Sequence, residues 1–381
     1  MTDLFNPLLS LKEGHWFKLI CGASFQHLPA VRSLTLAYTL AGADCIDVAA
    51  DPAVIVAAQE GLKAAAALGE EAQQRGFAYQ GTPLLMVSLN DGEDPHFRKA
   101  EFDSTKCPSQ CSRPCERICP AQAIVFDSIK YNQSGVLSDK CYGCGRCLPI
   151  CPYGKIEAVS YITSIGAIAP LILKSGVGAV EIHTTVGRLA EFKKLWQTIL
   201  PYIGHLKLVA ISCPNGEGMV DYLHSLYDVI SPLAYLNIWQ TDGRSMSGDI
   251  GSGTTLATVK LGAKVLRAKI PGYVQLAGGT NSYTVPKLKA MGLLKELTKP
   301  ISENMGENNV ISRTPCLGTE AFIAGVAYGS YARKLLSPIL EQLEEKEVNN
   351  SSVITARLEE EPTLLWQAVS LADSLVSPLK Y

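Results

Sequence analysis

Eight of the chain's twelve cysteines lie between Cys107 and Cys151, in two runs of four that each end in a cysteine followed by proline. The first run has the spacing Cys-x3-Cys-x3-Cys-x3-Cys-Pro and the second Cys-x2-Cys-x2-Cys-x3-Cys-Pro. The second spacing is that of bacterial ferredoxins, whose thiolates hold [4Fe-4S] clusters. The chain must fold so that these thiolates converge, which predicts an iron–sulfur module at residues 93–158.

In two-cluster ferredoxins the cysteine that precedes proline ligates the other cluster. The same crossing predicts two ligand sets here, called the first set and the second set. The first set is Cys107, Cys111, Cys115 and Cys151, and the second set is Cys141, Cys144, Cys147 and Cys119. An internal repeat supports the pairing, because Cys119–Ile124 aligns with Cys151–Ile156. We therefore expect two [4Fe-4S] clusters as cofactors.

The first run contains two more residues than the ferredoxin spacing, so its loop is longer. A longer loop favours a cluster that is more exposed or more labile. Two alternatives remain open at this point. Four thiolates also bind zinc, although zinc sites usually pair two separated Cys-x2-Cys knuckles. The other alternative is a single or degraded cluster.

Short apolar runs alternate with helical stretches on both sides of the cysteines, the pattern of parallel strands joined by crossover helices. Strands are predicted at 17–21, 45–48, 84–89, 179–183, 208–212, 234–239 and 273–276. Residues 322–326 supply an eighth strand, unless Phe322–Leu336 is one continuous helix. Eight strands predict an α/β fold with a (β/α)8 barrel, and an open doubly wound sheet is the alternative.

The cysteine module interrupts the predicted barrel. Residues 1–92 and 159–345 are assigned to the barrel and residues 93–158 to the ferredoxin-like module. Residues 346–381 are predicted to be a tail whose helix, from Pro362 to Leu375, docks on the barrel. Another helix is predicted near 164–174.

Composition argues against several classes of protein. The formal net charge is −2, so no overall field attracts nucleic acid or an anionic membrane surface. The first residues lack the basic start and apolar run of a signal peptide, and no apolar run reaches the roughly 18 residues of a membrane span. These features, with cysteines that are clustered as in a reducing compartment, predict a cytoplasmic protein that binds no nucleic acid and has no membrane span.

Polar residues near the ends of predicted strands indicate where a barrel site would lie, because barrel enzymes build their sites at the carboxyl ends of the strands. The candidates are Asp47, Ser88, Glu181, His183, Ser212, Asn237 and Gln275. Glu181 and His183 share one face of a strand. They are candidates for a ligand pocket or for catalysis, although a satisfied polar network explains them equally, and no catalytic residue is assigned.

Two glycine-rich segments resemble the places where some barrels bind a phosphate through backbone N–H groups. Gly278 and Gly279 follow the seventh strand, and Gly329 and Ser330 lead into the last barrel helix. They predict a phosphate or flavin-nucleotide site, with turn glycines and close helix packing as the alternative. A third segment, 242–253, is predicted to be a mobile loop over the site. Cys213 is a candidate redox-reactive thiol.

Three further segments, Gln240–Arg244, Ser247–Gly251 and Gly325–Arg333, together with the cysteine runs, resemble the LdpA (light-dependent period) family of cyanobacterial iron–sulfur proteins. The resemblance covers nearly the whole chain. It implies a protein that senses cellular redox state and passes it to the circadian clock, adjusting the period with light. The implied partners are clock-input proteins, including a sensor histidine kinase, with ferredoxin or a quinone as the redox source.

Two other functions are compatible with the sequence. In a ferredoxin-linked oxidoreductase, the clusters would pass electrons to a substrate or flavin in the barrel. A plain electron-transfer module is the third interpretation, but it leaves most of the chain unexplained.

Overall fold

The structure is a computed structural model that describes residues 7–22, 28–92, 98–119, 122–126, 134–137, 141, 147–160, 175–232, 235–243, 251, 253–295, 322–349 and 356–380. Eight parallel strands close into a barrel, so the barrel prediction is confirmed and the open sheet is wrong. The barrel strands are β1 (Trp16–Gly22), β2 (Cys45–Ala49), β3 (Leu84–Asn90), β8 (Ala179–His183), β9 (Leu208–Pro214), β10 (Leu236–Asp242), β11 (Tyr273–Ala277) and β12 (Ile323–Tyr328).

Strand β12 settles the uncertain eighth strand, because it hydrogen-bonds to β11 on one side and to β1 on the other. The continuous helix considered for Phe322–Leu336 is therefore wrong. Strand β10 begins and ends later than the sequence predicted, which changes the residues at its carboxyl end. The helix predicted near 164–174 lies outside the described residues.

Helices surround the barrel and cover the apolar outer faces of its strands. They are α2 (Leu28–Leu40), α3 (Pro52–Gln74), α6 (Leu189–Ile199), α7 (Met219–Ile230), α8 (Thr254–Ala268), α9 (Thr284–Ala290) and α10 (Ser330–Asn349). The short helix α1 (Pro7–Glu13) precedes β1 and places Leu11 in the apolar cluster at the amino ends of the strands, with Trp16 and Ile238. This packing closes one end of the barrel and leaves the opposite end for a site.

The tail helix α11 (Pro362–Lys380) packs on α2 and α10, as predicted. Ion pairs near both of its ends link it to the rest of the protein. Arg32 of α2 donates to Glu359 just before the helix, at 2.7 Å for Nη1–Oε2. Lys380 at its end pairs with the buried Asp44. The predicted domain boundaries at 92/93, 158/159 and 345/346 stay predictions.

The described residues of the cysteine module form two small antiparallel sheets, two short α-helices and a 3-10 turn at Ser104–Lys106. Strand β4 (Arg98–Glu101) pairs with β7 (Glu157–Ser160), and β5 (Ile124–Val125) pairs with β6 (Gly135–Val136). Helices α4 (Pro114–Ile118) and α5 (Cys147–Ile150) each end one residue before the last cysteine of a run. First and last strands pair, and the two inner strands pair, so the chain forms two related halves around one core.

The module leaves the barrel at the carboxyl end of β3 and returns to it at β8, and these two strands are hydrogen-bonded neighbours. In a barrel of parallel strands, all carboxyl ends lie at the same rim. The module therefore stands at the end where barrel sites are built, which we call the barrel mouth.

Candidate iron–sulfur centre and barrel mouth

The first-set cysteines are close enough to act on one another electrostatically. Burial raises the pKa of the Cys107 thiol, and neighbouring Cys111 and Cys151 raise it further. The pKa of Cys115 is raised in the same way by burial and by Cys151 and Cys107, with backbone N–H groups opposing. Four thiolates in one place repel each other unless a cationic centre lies between them. The donor set thus fits the iron ions of a cluster.

The last cysteine of each run accepts a hydrogen bond from the backbone four residues later. Ala123 N lies 3.2 Å from Cys119 Sγ, and Lys155 N lies 3.4 Å from Cys151 Sγ. Burial alone would raise the pKa of Cys151, but N–H groups of residues 153–156 outweigh it and lower the pKa. Backbone N–H groups aimed at a cysteine sulfur stabilise the thiolate, the form that binds iron.

Equivalent left-handed turns produce these N–H···S contacts. Gln122 has φ 50° and Gly154 has φ 57°, and each lies three residues after its cysteine. The N–H of each turn residue donates to the carbonyl oxygen of that cysteine, at 3.1 Å for Gln122 and 3.2 Å for Gly154. Glycine adopts this conformation freely, whereas glutamine adopts it at a cost. The repeat in the sequence is therefore a repeat in the structure.

The second set lies in the same module core. Cys141 and Cys147 are buried and Cys119 packs beside them, together with Ile124 and Ile156. Cys144 lies outside the described residues. Among the residues that are described, no three Cys, His, Asp or Glu side chains converge on one metal-ion position.

Asp91 and Gly92 hold the point where the module leaves the barrel. Arg188, at the start of α6, pairs with Asp91 (Nε–Oδ1 2.9 Å) and donates to its carbonyl oxygen at 3.0 Å. Thr184 also donates to the Asp91 carboxylate. A Cβ on Gly92 would lie 2.3 Å from Arg188 Nη2, so only glycine lets the guanidinium pack here. Lys99 of β4 adds a second link, 3.4 Å from Asp51 Oδ2.

Inside the barrel, Lys18 is fully buried between two carboxylates. Its Nζ lies 2.9 Å from Asp47 Oδ2 and contacts Glu181 Oε2, while Met86 Sδ accepts from it at 3.3 Å. Burial alone would lower the pKa of Lys18, but the two carboxylates outweigh it and raise the pKa. Lys18 is therefore a fixed positive charge at neutral pH. It is not poised to act as a neutral amine nucleophile.

Amide, hydroxyl and indole groups extend this ion cluster across the barrel. Gln240 Nε2 donates to Glu181 Oε1 at 2.6 Å and Gln275 Nε2 donates to Gln240 Oε1 at 2.6 Å. Trp16 Nε1 donates to Gln275 at 2.7 Å. Ser88 Oγ donates to Asp47 Oδ1 at 2.8 Å, on the other side of Lys18. Each of these buried polar groups finds a partner, which a low-dielectric interior requires.

Two titratable side chains lie above this network, at the barrel mouth. His183 Nε2 is 3.1 Å from Glu181 Oε1, and the His183 side chain is 31% exposed. Asp242 ends β10 on the same face as Gln240, two residues away. Burial raises the pKa of Asp242 to about 6, with His183 opposing the shift.

The sequence placed most of these candidates well and missed three. Five predicted residues lie in or beside the network: Asp47, Ser88, Glu181, Ser212 and Gln275. Asn237 was placed wrongly, because β10 starts at Leu236; the residue lies at the amino end of the strand and donates to Pro271 O at 3.2 Å. The missed residues are Lys18, Gln240 and Asp242. For Lys18, the sequence signal that could have revealed it is a charged residue inside the apolar run of a predicted strand.

Two sequence families match this chain, described as "LdpA Fe-S cluster-binding domain" at residues 107–162 and "Light dependent period A C-terminal domain" at residues 171–378. "Light dependent period A" from Synechococcus elongatus is 47% identical over 374 residues, which cover 98% of this chain and 94% of that protein. The chain belongs to the LdpA family. Its first match explains the cysteine runs, and its second covers most of the barrel.

Shorter relatives of this LdpA-family chain are iron–sulfur and electron-transport proteins. The probable iron–sulfur protein of the Frd operon of Proteus vulgaris is 44% identical over 52 residues, 13% of this chain and 31% of that protein. The "Electron transport protein HydN" of Escherichia coli K12 is 33% identical over 75 residues, 20% of this chain and 37% of that protein. The module thus has ferredoxin-like homologues, and the LdpA-family chain binds an iron–sulfur cofactor.

In the LdpA-family barrel, the two glycine segments predicted to bind phosphate lie on neighbouring strands. Thr280 Oγ1 donates to Ala327 O at 2.7 Å and ties them together. Thr254 of α8 donates to Gly279 O at 2.7 Å, and a Cβ on Gly279 would lie 3.0 Å from Thr254 Cβ. Turn geometry and helix packing are thus present at Gly278 and Gly279, as the alternative expects. The phosphate or flavin site at Gly278, Gly279, Gly329 and Ser330 stays a prediction.

The scattered cysteines of the barrel, Cys21, Cys45 and Cys213, are buried where they are described. Burial raises the pKa of Cys21 and Cys213 to about 12, and Asp91 and Asp242 contribute to the shift at Cys213. A thiol with so high a pKa supplies little thiolate at neutral pH, and the redox reactivity of Cys213 stays a prediction. Cys45 is buried as well, and Cys316 lies outside the described residues.

Most of the predicted mobile loop, residues 244–250 and 252, also lies outside the described residues. Asp242 belongs to β10 rather than to that loop. No helix in the described ranges is long and apolar enough to cross a membrane.

Proposed function

We propose that this protein is a redox sensor that carries two [4Fe-4S] clusters and relays cellular redox and light state to the circadian clock, modulating its period. The observation that carries the proposal is the repeated turn behind Cys119 and Cys151, which builds the same thiolate-stabilising half-site twice in one core. The proposed link to the circadian clock is supported by membership of a family named for a light-dependent period.

The proposed ligands follow the crossed pairing of the two sets. Cys151 is close to Cys107 and Cys115, although it belongs to the other run, which supports its assignment to the first set. Cys119 packs against the same core as Cys141 and Cys147, which is compatible with the second set, although Cys115 and Cys151 belong to that core as well. When bound, the clusters supply one-electron redox chemistry. The chain contributes the thiolates and the N–H donors that stabilise them.

The module's position suggests how a redox change reaches a partner. It stands at the barrel mouth, fixed at its start by the Asp91–Arg188 pair and beside it by Lys99–Asp51. A change in cluster charge or cluster loss would alter the surface of the module while the barrel keeps its shape. The proposed partners are clock-input proteins, including a sensor histidine kinase, in the cytoplasm. Ferredoxin or a quinone would set the redox state.

The cofactor proposal is tested by anaerobic purification with iron and sulfide analysis and low-temperature EPR of the reduced protein. Two clusters give about eight iron and eight sulfide per chain and interacting reduced-cluster signals. Cys151→Ser, in the first set, should disturb one cluster and leave the other. Cys213→Ser, a buried barrel cysteine, is the matched control. One equivalent of zinc per set of cysteines, with no iron, would refute the proposal.

The relay proposal is tested by retention of clock-input proteins on the purified chain under oxidising and reducing conditions. The expected result is partner retention that changes with redox state, and no change in a variant with all eight module cysteines replaced by serine. Circadian period measured in a cyanobacterial host should lose its light dependence in the same variant. Redox-dependent retention that survives all eight substitutions would contradict the sensor.

A ferredoxin-linked oxidoreductase is the second candidate, favoured by His183 and Asp242 at the mouth beside the module. In that case the protein would copurify with a flavin or a small molecule and would turn over substrate with reduced ferredoxin. Partner retention without turnover favours the sensor.

A further inference from the structure

Asp242 is a half-buried carboxylate with one buried oxygen, Oδ1, that no described residue satisfies. It ends β10 on the inward face, where its register neighbours on the adjoining strands, Pro214 and Ala277, carry no side-chain donor. Its Oδ1 is inaccessible to solvent and has no hydrogen-bond partner among the residues that the structure describes. An unpaired buried acceptor is uncommon and calls for an explanation.

The charges that face Asp242 do not neutralise it. The positive charge of Lys18 is engaged by Asp47 and Glu181, so one ammonium already serves two carboxylates. Glu181 adds a negative charge near Asp242, and His183 Nε2 lies beside Glu181 at 3.1 Å. Cys213, on the neighbouring strand, is a neutral thiol because burial and the nearby carboxylates raise its pKa to about 12. Among the described groups that act on Asp242, together with Asp47, the charges therefore sum to a net negative value whether His183 is protonated or not.

This charge destabilises the unliganded fold. Burial raises the pKa of Asp242 to about 6, so the carboxyl is mostly ionised at pH 7 while it lacks a donor in the described ranges. Asparagine would have the same shape without the charge. Carboxylates with shifted pKa values at the carboxyl end of barrel strands are typical of binding and catalytic sites, where a ligand supplies the missing partner.

We propose that the barrel mouth binds a small ligand that carries a protonated amine, whose N–H groups donate to the unpaired oxygen of Asp242. The ammonium enters an excess of negative charge that Lys18 does not cancel. An anionic headgroup would be repelled at this position. A metal ion fits less well, because no three metal-binding side chains converge in the described ranges. The site lies in the barrel and does not depend on the clusters, so it goes beyond the proposed sensor function.

The test uses the full chain with propylammonium as the probe and 1-propanol, of similar size and without charge, as the control ligand. Isothermal titration and ligand-observed NMR should show saturable binding of propylammonium and at least tenfold weaker binding of propanol. Asp242→Asn should lose at least tenfold in affinity. Asp228→Asn, which removes one exposed charge from α7, should bind as the wild type does.

The pH dependence gives a second measurement that needs no variant. Protonation of Asp242 removes the proposed acceptor, so affinity should fall about tenfold between pH 7 and pH 5, given a pKa of about 6. Equal binding by the wild type and Asp242→Asn, equal binding of amine and alcohol, or no saturable binding of propylammonium would each overturn the proposal. Cluster-free protein should retain the binding, which separates this result from the fate of the sensor proposal.

Discussion

The module and the barrel are stabilised by different chemistry. The buried core of the module contains Cys115, Cys141 and Cys147 beside a few small apolar side chains. The barrel core consists mainly of Leu, Ile, Val and Ala side chains on strands and helices. A core this small gains little free energy from hydrophobic burial, so we expect metal–thiolate bonds to contribute to the module's folding and the barrel to fold without them. The comparison predicts a metal-dependent part and a metal-independent part in one chain.

Chelation is the largest test of that difference. Removing iron with a chelator under oxidising conditions should abolish protection from hydrogen exchange across β4 to β7, because apo metal sites lose their folding free energy. The barrel strands should keep their protection, and the barrel's Tm should move by no more than about 2–4 °C. A barrel that unfolds with the module would show that the two parts are one cooperative unit. Chelator added to cluster-free protein is the control.

Lys18→Met tests whether the barrel depends on its own buried charges. Methionine has a similar shape but leaves Asp47 and Glu181 uncompensated, so the free energy of unfolding should fall by about 3–5 kcal/mol. Urea unfolding followed by tryptophan fluorescence measures it. Lys193→Met on the exposed face of α6 is the control and should cost almost nothing. A loss below about 1 kcal/mol would mean that water or repacking replaces Lys18.

Asp242→Asn should stabilise the barrel. The folded-state pKa of about 6 exceeds the unfolded value of 3.8, so the folded protein binds the proton more tightly and this group's contribution to stability falls as pH rises from about 4 to about 6. Asparagine does not ionise, so the variant avoids this loss of stability. The free energy of unfolding should rise by about 1–3 kcal/mol at pH 7 and by almost nothing below pH 4. Urea unfolding at several pH values measures this, with Asp228→Asn as control. A pH-independent gain would show that the charge of Asp242 is not the cause.

Gly92→Ala gives the smallest expected effect and tests the junction between the two parts. The added Cβ displaces the Arg188 guanidinium and weakens its pair with Asp91, a loss of about 1 kcal/mol because Arg188 is partly exposed. Faster hydrogen exchange at β4, with barrel protection unchanged, is the expected readout. Gly204→Ala, whose Cβ would meet nothing nearby in the described structure, is the matched control. Equal exchange in both variants would mean that the pair does not hold the module.

The sequence predicted the frame of the barrel because its parallel strands are buried on both faces and read as apolar runs. Strand β9, for example, was found within two residues of its end. The register of β10 was missed because Gln240 and Asp242 break the apolar run while pointing into the barrel. The hydrophobic pattern therefore ended too early and placed Asn237 at the wrong end. From the hydrophobic pattern alone, a polar residue that points into a barrel cannot be distinguished from a loop residue.

Lys18 shows a second limit of the sequence. Its partners Asp47 and Glu181 are far away along the chain, and only closure of the barrel brings the three together. In the module, by contrast, cysteine spacing is a local signal and predicted the two ligand sets. The left-handed turn at Gln122 was not predictable from residue type, since glycine, not glutamine, is the residue expected there.

The module begins and ends on hydrogen-bonded neighbours, β3 and β8, so to the barrel it is one long loop between two adjacent strands. The entropy lost on closing a loop grows only with the logarithm of its length, and each doubling adds about 0.6 kcal/mol. The connection between β3 and β8 is about four times longer than an ordinary crossover. It therefore adds only about 1 kcal/mol to the entropic cost of closing the barrel. Closure of the barrel therefore depends little on whether the module is folded.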